Sequence, residues 1–258
     1  MSMPMPVGSF VWLLPHEFAN IDWKNQNEEQ SKGYFVECDW EYPSNIHDAH
    51  NQYPLAPERV NIKAHMVSEK QVELFAHYRI PRGSNNVKLV PNLMTKTKYL
   101  VHYLNLQFYL SHGMKLTKVH RVLAFRQSRW LAPYIEKNSQ LRATSKNEFE
   151  KDFFKLMNNS IYGKTCENQK KRSDIKLVTT EEKRKKLIEK PHCMSFKIFD
   201  EQLVAIEMRK LTALINKPFY VGFSVLELSK LHMYRYATFI YIVLLLNFIN
   251  ATKFLLRI

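Results

Sequence analysis

Three cysteines, Cys38, Cys166 and Cys193, are all that this 258-residue sequence contains. They are too few and too scattered for a disulfide framework or a zinc site, which fits a reducing, intracellular setting. His47-x-x-His50 and His192-Cys193 come nearest to metal-ligand spacing, and satisfied polar histidines explain them more simply. The Pro- and Met-rich start lacks the basic, apolar, small-residue order of a secretory signal or transit peptide, so nucleus or cytoplasm is expected, not secretion. A bilayer-spanning run is missing too. The apolar stretch 237–246 is interrupted at Asn247, Asn250 and Lys253, short of the roughly 20 residues a membrane requires. No membrane partner is expected.

The sharpest absence is of negative charge. From 74 to 135 there are ten Lys or Arg and no acidic residue, whereas 1–73 holds five against eleven and 136–258 holds 23 against 13. The acid-free stretch carries Arg79, Arg82, Lys88, Lys96, Lys98, Lys115, Lys118, Arg121, Arg126 and Arg129, within a net charge of +14. Such a run predicts salt-dependent contact with a phosphate backbone. Tyr99, Tyr103, Phe108, Tyr109 and Phe125 lie among these cations; aromatics can stack on bases, but most of these read as core. A second basic cluster, Lys183-Arg184-Lys185-Lys186, is either a solvated face or a backbone contact.

What is present suffices for a core, at 45% hydrophobic and 13% aromatic residues. The pattern is α+β. Tyr34–Trp40 alternates as a strand, 43–57 is loop, 59–80 divides into strand and helix, and 81–86 is a turn. Strands at 99–103 and 116–125 flank a short helix at 105–111. Helices follow at about 130–143 and 145–161, then a strand at 175–178, a helix at 181–189 capped by Thr180, strands at 194–199 and 202–210, and a helix at 223–235.

The helix after 145 carries the most specific string in the chain. Ser145-Lys-Asn-Glu148 has capping-box spacing, and no Gly or Pro occurs before Gly163. At about 100° per residue, Lys151, Lys155, Asn159 and Tyr162 share one arc, while Phe149, Phe153, Phe154, Leu156, Met157 and Ile161 are expected to form the core side. An ammonium one turn from an Asn suits phosphate oxygens, a Tyr ring suits a base or sugar, and Gly163 admits close approach of backbone to ligand.

Read as K-x-x-x-N-S-x-Y-G, Lys155–Gly163 resembles the fingers-helix motif of family B DNA polymerases. His47-Asp-Ala-His-Asn-Gln-Tyr-Pro-Leu-Ala-Pro-Glu58, Leu89-Val-Pro-Asn-Leu93, Tyr99-Leu-Val-His-Tyr103, Leu116-Thr-Lys-Val-His-Arg121, Phe149-Glu-Lys-Asp-Phe-Phe154 and Tyr220–Lys230 are similar to the protein-primed polymerases of Polinton/Maverick elements and related viruses. The resemblance runs from about Pro4 to Tyr234. It implies a partial family B polymerase: 1–128 as an insertion that contacts a terminal protein and template, 129–166 as a two-helix fingers hairpin, 167–205 as a second, β-rich, DNA-encircling insertion, 206–235 as an incomplete palm, and 236–258 as a divergent apolar tail. It assigns nucleotide contact to Lys155, Asn159, Tyr162 and Gly163, with Lys151 one turn earlier and Arg142 on the partner helix. The expected DNA contacts are Lys96, Lys98, Lys115, Lys118, Arg121, Arg126 and Lys183–Lys186.

The same resemblance implies Mg²⁺ held by carboxylates from a D-x-x-(S/N)-L-Y and a D-T-D motif. The sequence has six aspartates, Asp22, Asp39, Asp48, Asp152, Asp174 and Asp200, and no D-T-D. Asp39-Trp-Glu-Tyr-Pro-Ser44 is two residues short of the first motif and is expected to be structural. No catalytic or metal residue is therefore assigned. The expected function is template-directed addition of deoxynucleotides, with DNA, deoxynucleoside triphosphates and a terminal-protein primer as partners, in a truncated and inactive form. The alternatives are a non-catalytic DNA- or terminal-protein-binding fragment and a decayed gene product.

Overall fold

The computed structural model describes residues 1–63, 66–79 and 87–255, with side chains to Thr238. The expected turn at 81–86, including Arg82, and the side chains of the tail from 239 onward lie outside the described residues. In chain order the elements are β1 (Met5–Trp12), α1 (Pro15–Ala19), β2 (Lys32–Glu41), α2 (His47–His50), β3 (Glu58–Asn61), α3 (Glu69–His77), β4 (Val87–Val90), β5 (Lys96–His102), α4 (Tyr103–Ser111), β6 (Lys115–Ser128), α5 (Ala132–Thr144), α6 (Glu148–Thr165), β7 (Ser173–Val178), α7 (Glu181–Ile188), β8 (Cys193–Asp200), β9 (Leu203–Arg209) and α8 (Phe219–Leu255). The class is α+β. Two compact units result, Met1–Leu131 with Leu226–Ile258, and Ala132–Val225.

The first unit is built on an antiparallel sheet in the order β1-β6-β2-β5, with β3 and β4 forming a separate pair. Its core follows from α4, whose Tyr103, Leu104, Asn105, Leu106, Phe108 and Tyr109 are all buried. A helix apolar on every side must be covered on every side. Trp40 of β2 meets Tyr109 edge-on at 5.8 Å, while Tyr234 of α8 stacks on Phe108 at 5.9 Å. Glu227 of α8 takes up donors of α4 and its N-cap: Asn105 donates to the Glu227 carbonyl at 2.7 Å and carboxylate at 2.9 Å, and the His102 amide donates to the same carboxylate at 3.1 Å. Gly33 of β2 has no room for a side chain, since a Cβ there would lie 2.4 Å from the Phe125 ring.

Both edges of the sheet are irregular. On β1, Gly8 and Ser9 have φ of 146° and 55°, and the pairing with β6 shifts register on either side of Gly8. On β5, Lys98 has φ of 50°, opposite a register shift between Cys38 and Trp40 of β2. Asp39 secures that kink by accepting the Lys98 amide at 2.7 Å.

The acidic and the acid-free segments come together here. Glu37 of β2 lies 2.6 Å from Arg121 of β6, Asp39 lies 2.8 Å from His120, and Glu41 lies 3.3 Å from Lys115. Glu29 pairs with Arg129, and Glu58 with Lys96 at 2.8 Å. Lys96, Lys115, Arg121 and Arg129, with no acid nearby in sequence, thus have acids nearby in space.

In the second unit α5 and α6 form an antiparallel pair, joined by Asn138 donating to Asn158 at 3.0 Å. A three-stranded antiparallel sheet, β7-β9-β8, is covered by α7. Its small core is Val178, Val204, Ile206 and Met208, with Leu187, Ile188 and Cys193 packed against it. Many apolar side chains of this unit stay at the surface, among them Leu177, Ile198, Leu211 and Leu214. No helix among the described residues is long and apolar enough to cross a membrane.

Candidate nucleotide-binding surface on helix α6

The N-terminus of α6 is set by Asn147, whose side chain accepts the Glu150 amide at 2.8 Å, while Glu150 reaches back to the Lys146 amide at 3.3 Å. The expected cap, Ser145, instead donates its hydroxyl to the Leu141 carbonyl at the end of α5, at 2.7 Å. The cap is displaced by two residues, to Asn147, and no reciprocal box forms because Glu150 accepts the Lys146 amide and not that of Asn147. At the far end Thr165 is buried and Cys166 closes the helix.

The half-buried side of α6 comprises Phe154, Met157, Asn158 and Ile161, continuing to buried Thr165. These positions fall on one face at helical spacing. Three residues expected in the core lie outside it: Phe149, Phe153 and Leu156 are 80%, 47% and 64% exposed. The α5 contact is one helix wide and covers only the narrower stripe. A crossing with α8 fixes the C-terminal turn, where a Cβ on Gly222 would sit 2.2 Å from Cys166 Sγ and 2.7 Å from Thr165 Oγ1. The sequence reading did not single out Gly222; its only signal was a small residue inside the apolar run Tyr220–Val225.

On the remaining arc Lys155 and Asn159 are exposed, and neither has a side-chain partner among the described residues. Lys151, half-buried, pairs with Glu148 at 2.8 Å. That i, i+3 pair is solvent-exposed and contributes little. Lys151 holds the Glu148 carboxyl below its ordinary range, with a smaller contribution from Arg142. Tyr162 is half-buried, and burial followed by its neighbour Cys166 raises its phenol above the usual range. Gly163 is exposed, and a Cβ added there would meet nothing within 4 Å. Its lack of a side chain therefore has no internal packing reason, unlike that of Gly222. Beyond the helix, Glu167 sits 2.9 Å from Lys164 and also binds Arg172, which together hold its carboxyl at about 2.

The expected DNA contacts divide. Lys96 requires correction: it is fully buried, with its ammonium on Glu58 and Asn92, and cannot reach a ligand at the surface. Burial lowers the Lys96 pKa despite the carboxylate beside it. Glu58 is pushed up by burial, but its hydrogen bonds from Lys96 and Asn92 outweigh that and leave it below the ordinary value. Lys115 and Arg121 are exposed but paired across β2–β6, Lys118 lies opposite Asp39, and Lys98 and Arg126 are exposed. On α7, Arg184 and Lys185 share Glu181, whereas Lys183 and Lys186 have no partner among the described residues.

The aspartates do not converge. Asp22 accepts from Lys24 and Asn25, Asp39 from Lys98, and Asp200 from Gln202; Asp174 pairs with Lys176, while Asp48 and Asp152 are exposed on separate helices. As a donor set they do not fit a two-metal centre.

Residues 1–240 match the family described as DNA polymerase type B, organellar and viral. No curated protein matches. Among solved structures the chain is similar to phi29 DNA polymerase complexed with primer-template DNA, at 14% identity and a TM-score of 0.42 over 86% of this chain and 29% of that one. The ternary complex of phi29 DNA polymerase with primer-template DNA and incoming nucleotide gives 16% and 0.41 over 86% and 30%. The chain thus spans under a third of the length of the polymerase it matches.

Proposed function

The chain belongs to the organellar and viral type B DNA polymerases, and from that membership we propose that α6 presents the triphosphate-binding face for an incoming deoxynucleotide. In this reading Lys155 neutralises phosphate oxygens, Asn159 donates one turn on, Tyr162 supports the base or sugar, and Gly163 leaves room for them. Lys151 joins by exchanging Glu148 for phosphate, and Arg142 is a secondary contact. The observation that carries it is the state of Lys155 and Gly163: an exposed ammonium with no carboxylate partner among the described residues, and a glycine with empty space in front of it. Phosphoryl transfer asks a protein chiefly for charge neutralisation and positioning, which this face supplies.

Polymerases of this family generally use Mg²⁺, an ion that when bound would supply charge neutralisation for the transfer. The aspartates described above do not fit that ion, and in our reading the polypeptide binds nucleotide without extending a primer. The first unit through residue 128 is read as the terminal-protein and template insertion, 129–166 as fingers, 167–205 as the DNA-encircling insertion and 206–235 as part of the palm.

The test is equilibrium binding of a labelled deoxynucleoside triphosphate to the purified chain. Lys155→Ala is expected to weaken it by about ten-fold or more, the scale of a charge-assisted hydrogen bond, with no change in melting temperature. Unchanged affinity overturns the assignment. Primer extension by this polypeptide, abolished by Lys155→Ala, would overturn the non-catalytic reading while leaving the helix assignment intact.

A second reading, a DNA-binding module, is favoured by the unpartnered Lys183 and Lys186 on α7. It requires single-stranded DNA binding that falls steeply between about 50 and 200 mM salt, with a shallower slope after Lys183→Ala/Lys186→Ala. Salt-independent binding excludes it.

A further inference from the structure

The first unit contains a cleft of ≈ 700 Å³ bounded by the α2 segment, the end of α4 and α8. Its described lining includes neither Lys nor Arg, although the whole chain carries +14. Asp48, exposed, supplies its formal charge. Aromatic and soft side chains make up much of the wall: Tyr53 is 47% exposed, Met233 55% and Tyr236 59%. Behind them Tyr234 is fixed, donating to the Pro54 carbonyl at 3.1 Å and meeting Tyr53 edge-on at 5.2 Å. His50 is likewise fixed, its Nδ1 2.7 Å from the Tyr42 hydroxyl, which also accepts the Leu55 amide at 3.2 Å.

We propose that this cleft binds an organic cation, the guanidinium or ammonium of a basic side chain or small amine. Ring faces attract such a group through their quadrupole, a polarizable thioether adds favourable contact, and the carboxylate of Asp48 completes the pairing. A phosphate-bearing ligand finds no Lys or Arg among the described lining residues. Because Tyr234 and His50 are already held in place, little side-chain ordering is needed on binding.

The other titratable groups at the cleft give the proposal a sign. Asp48, His50 and His112 line it with the three tyrosines, and His47 lies next to His50. Burial, then His112 and His47, keep His50 below its ordinary value, so it is neutral at pH 7. Protonation of His50 would place a positive charge at the cleft. That opposes a bound cation and would favour a bound anion.

The experiment uses the full chain and three probes: an acetylated arginine tripeptide, the same peptide with neutral citrulline, and free guanidinium, followed by tyrosine fluorescence. Saturable binding of the arginine peptide is expected, about five-fold weaker with citrulline or after Tyr236→Ala, the scale of one cation–ring contact. Asp48→Asn should weaken it by a similar factor, and Tyr236→Phe, which keeps the ring, should restore it. Affinity should fall from pH 7.5 to 5.5. Guanidinium binding at the same site points to the isolated charge, and a tighter peptide to a protein segment; both support the proposal. Equal binding of citrulline, no saturation, or preference for a deoxynucleoside monophosphate with the opposite pH trend overturns it. Both substituted positions are exposed, so a melting curve suffices to show that the variants are folded.

Discussion

The two units carry the same formal charge, each with 19 Lys or Arg and 12 Asp or Glu, and arrange it in opposite ways. In the first, acids from one part of the chain meet cations from another: Glu29 with Arg129, Glu37 with Arg121, Glu41 with Lys115, Glu58 with Lys96. In the second, the ion pairs among the described residues are all local, no more than five residues apart, such as Glu148 with Lys151 and Glu181 with Arg184. Lys155, Lys183 and Lys186 are then left without a partner among the described residues. Net charge thus says little about where an anion would bind; pairing decides it. In the first unit charge holds segments together, and in the second it faces outward.

The largest test of that contrast is Glu58→Ala. It strands a fully buried ammonium, and unpaired buried charges cost about 3–5 kcal/mol. The lower end is expected because Asn92 still contacts Lys96. Urea unfolding with hydrogen exchange over β3–β5 would measure it, whereas Lys155→Ala should leave both readouts unchanged. A loss below about 1 kcal/mol would mean that Lys96 is not internally committed.

Glycines sharpen the comparison next. Gly222→Ala forces a Cβ against Cys166 and should destabilise the second unit by about 1–3 kcal/mol, the range for overpacking. Gly163→Ala, at a helical position with no contacts, should stabilise the unit by up to about 1 kcal/mol, yet weaken nucleotide binding. Thermal melting and binding on the two variants separate these effects.

A pH series follows. Burial lowers the His102 pKa from its ordinary value to about 3. Below about pH 6.5 the unfolded chain takes up a proton that the folded chain refuses, so stability is complete above that value and falls as the solution acidifies. By pH 5 the first unit should lose about 2 kcal/mol. His102→Asn retains an acceptor for the Leu104 amide and should flatten that slope. The smallest effect is expected for Arg121→Ala, whose solvent-screened pair with Glu37 should leave the urea midpoint almost unmoved.

Much of the fold was legible because period reports burial. Alternation marked β2 and β6, and the 3.6-residue repeat marked α6 and the arc that carries Lys155 and Asn159. Where the reading fell short, the cause was long-range. Nothing in the local sequence distinguishes Phe153, exposed, from Phe154, half-buried; the width of the α5 contact does. Lys96 looked available because its carboxylate lies 38 residues away. β1 escaped notice because Gly8 and Ser9 break its alternation, and α2 because four residues are too few for a period. The candidate face itself came from one string, so its polar arc was visible and its packed arc only in part.

The left-handed residues of the first sheet have a further consequence. β1 and β5 are its two outer strands, and unpaired outer strands are templates on which another chain can add. Ser9 interrupts one ladder and Lys98 the other, so neither rim offers the straight row of amides and carbonyls that an incoming strand would match. The sheet is finished at four strands by backbone geometry, and crowding many copies together would not by itself seed fibres through these rims.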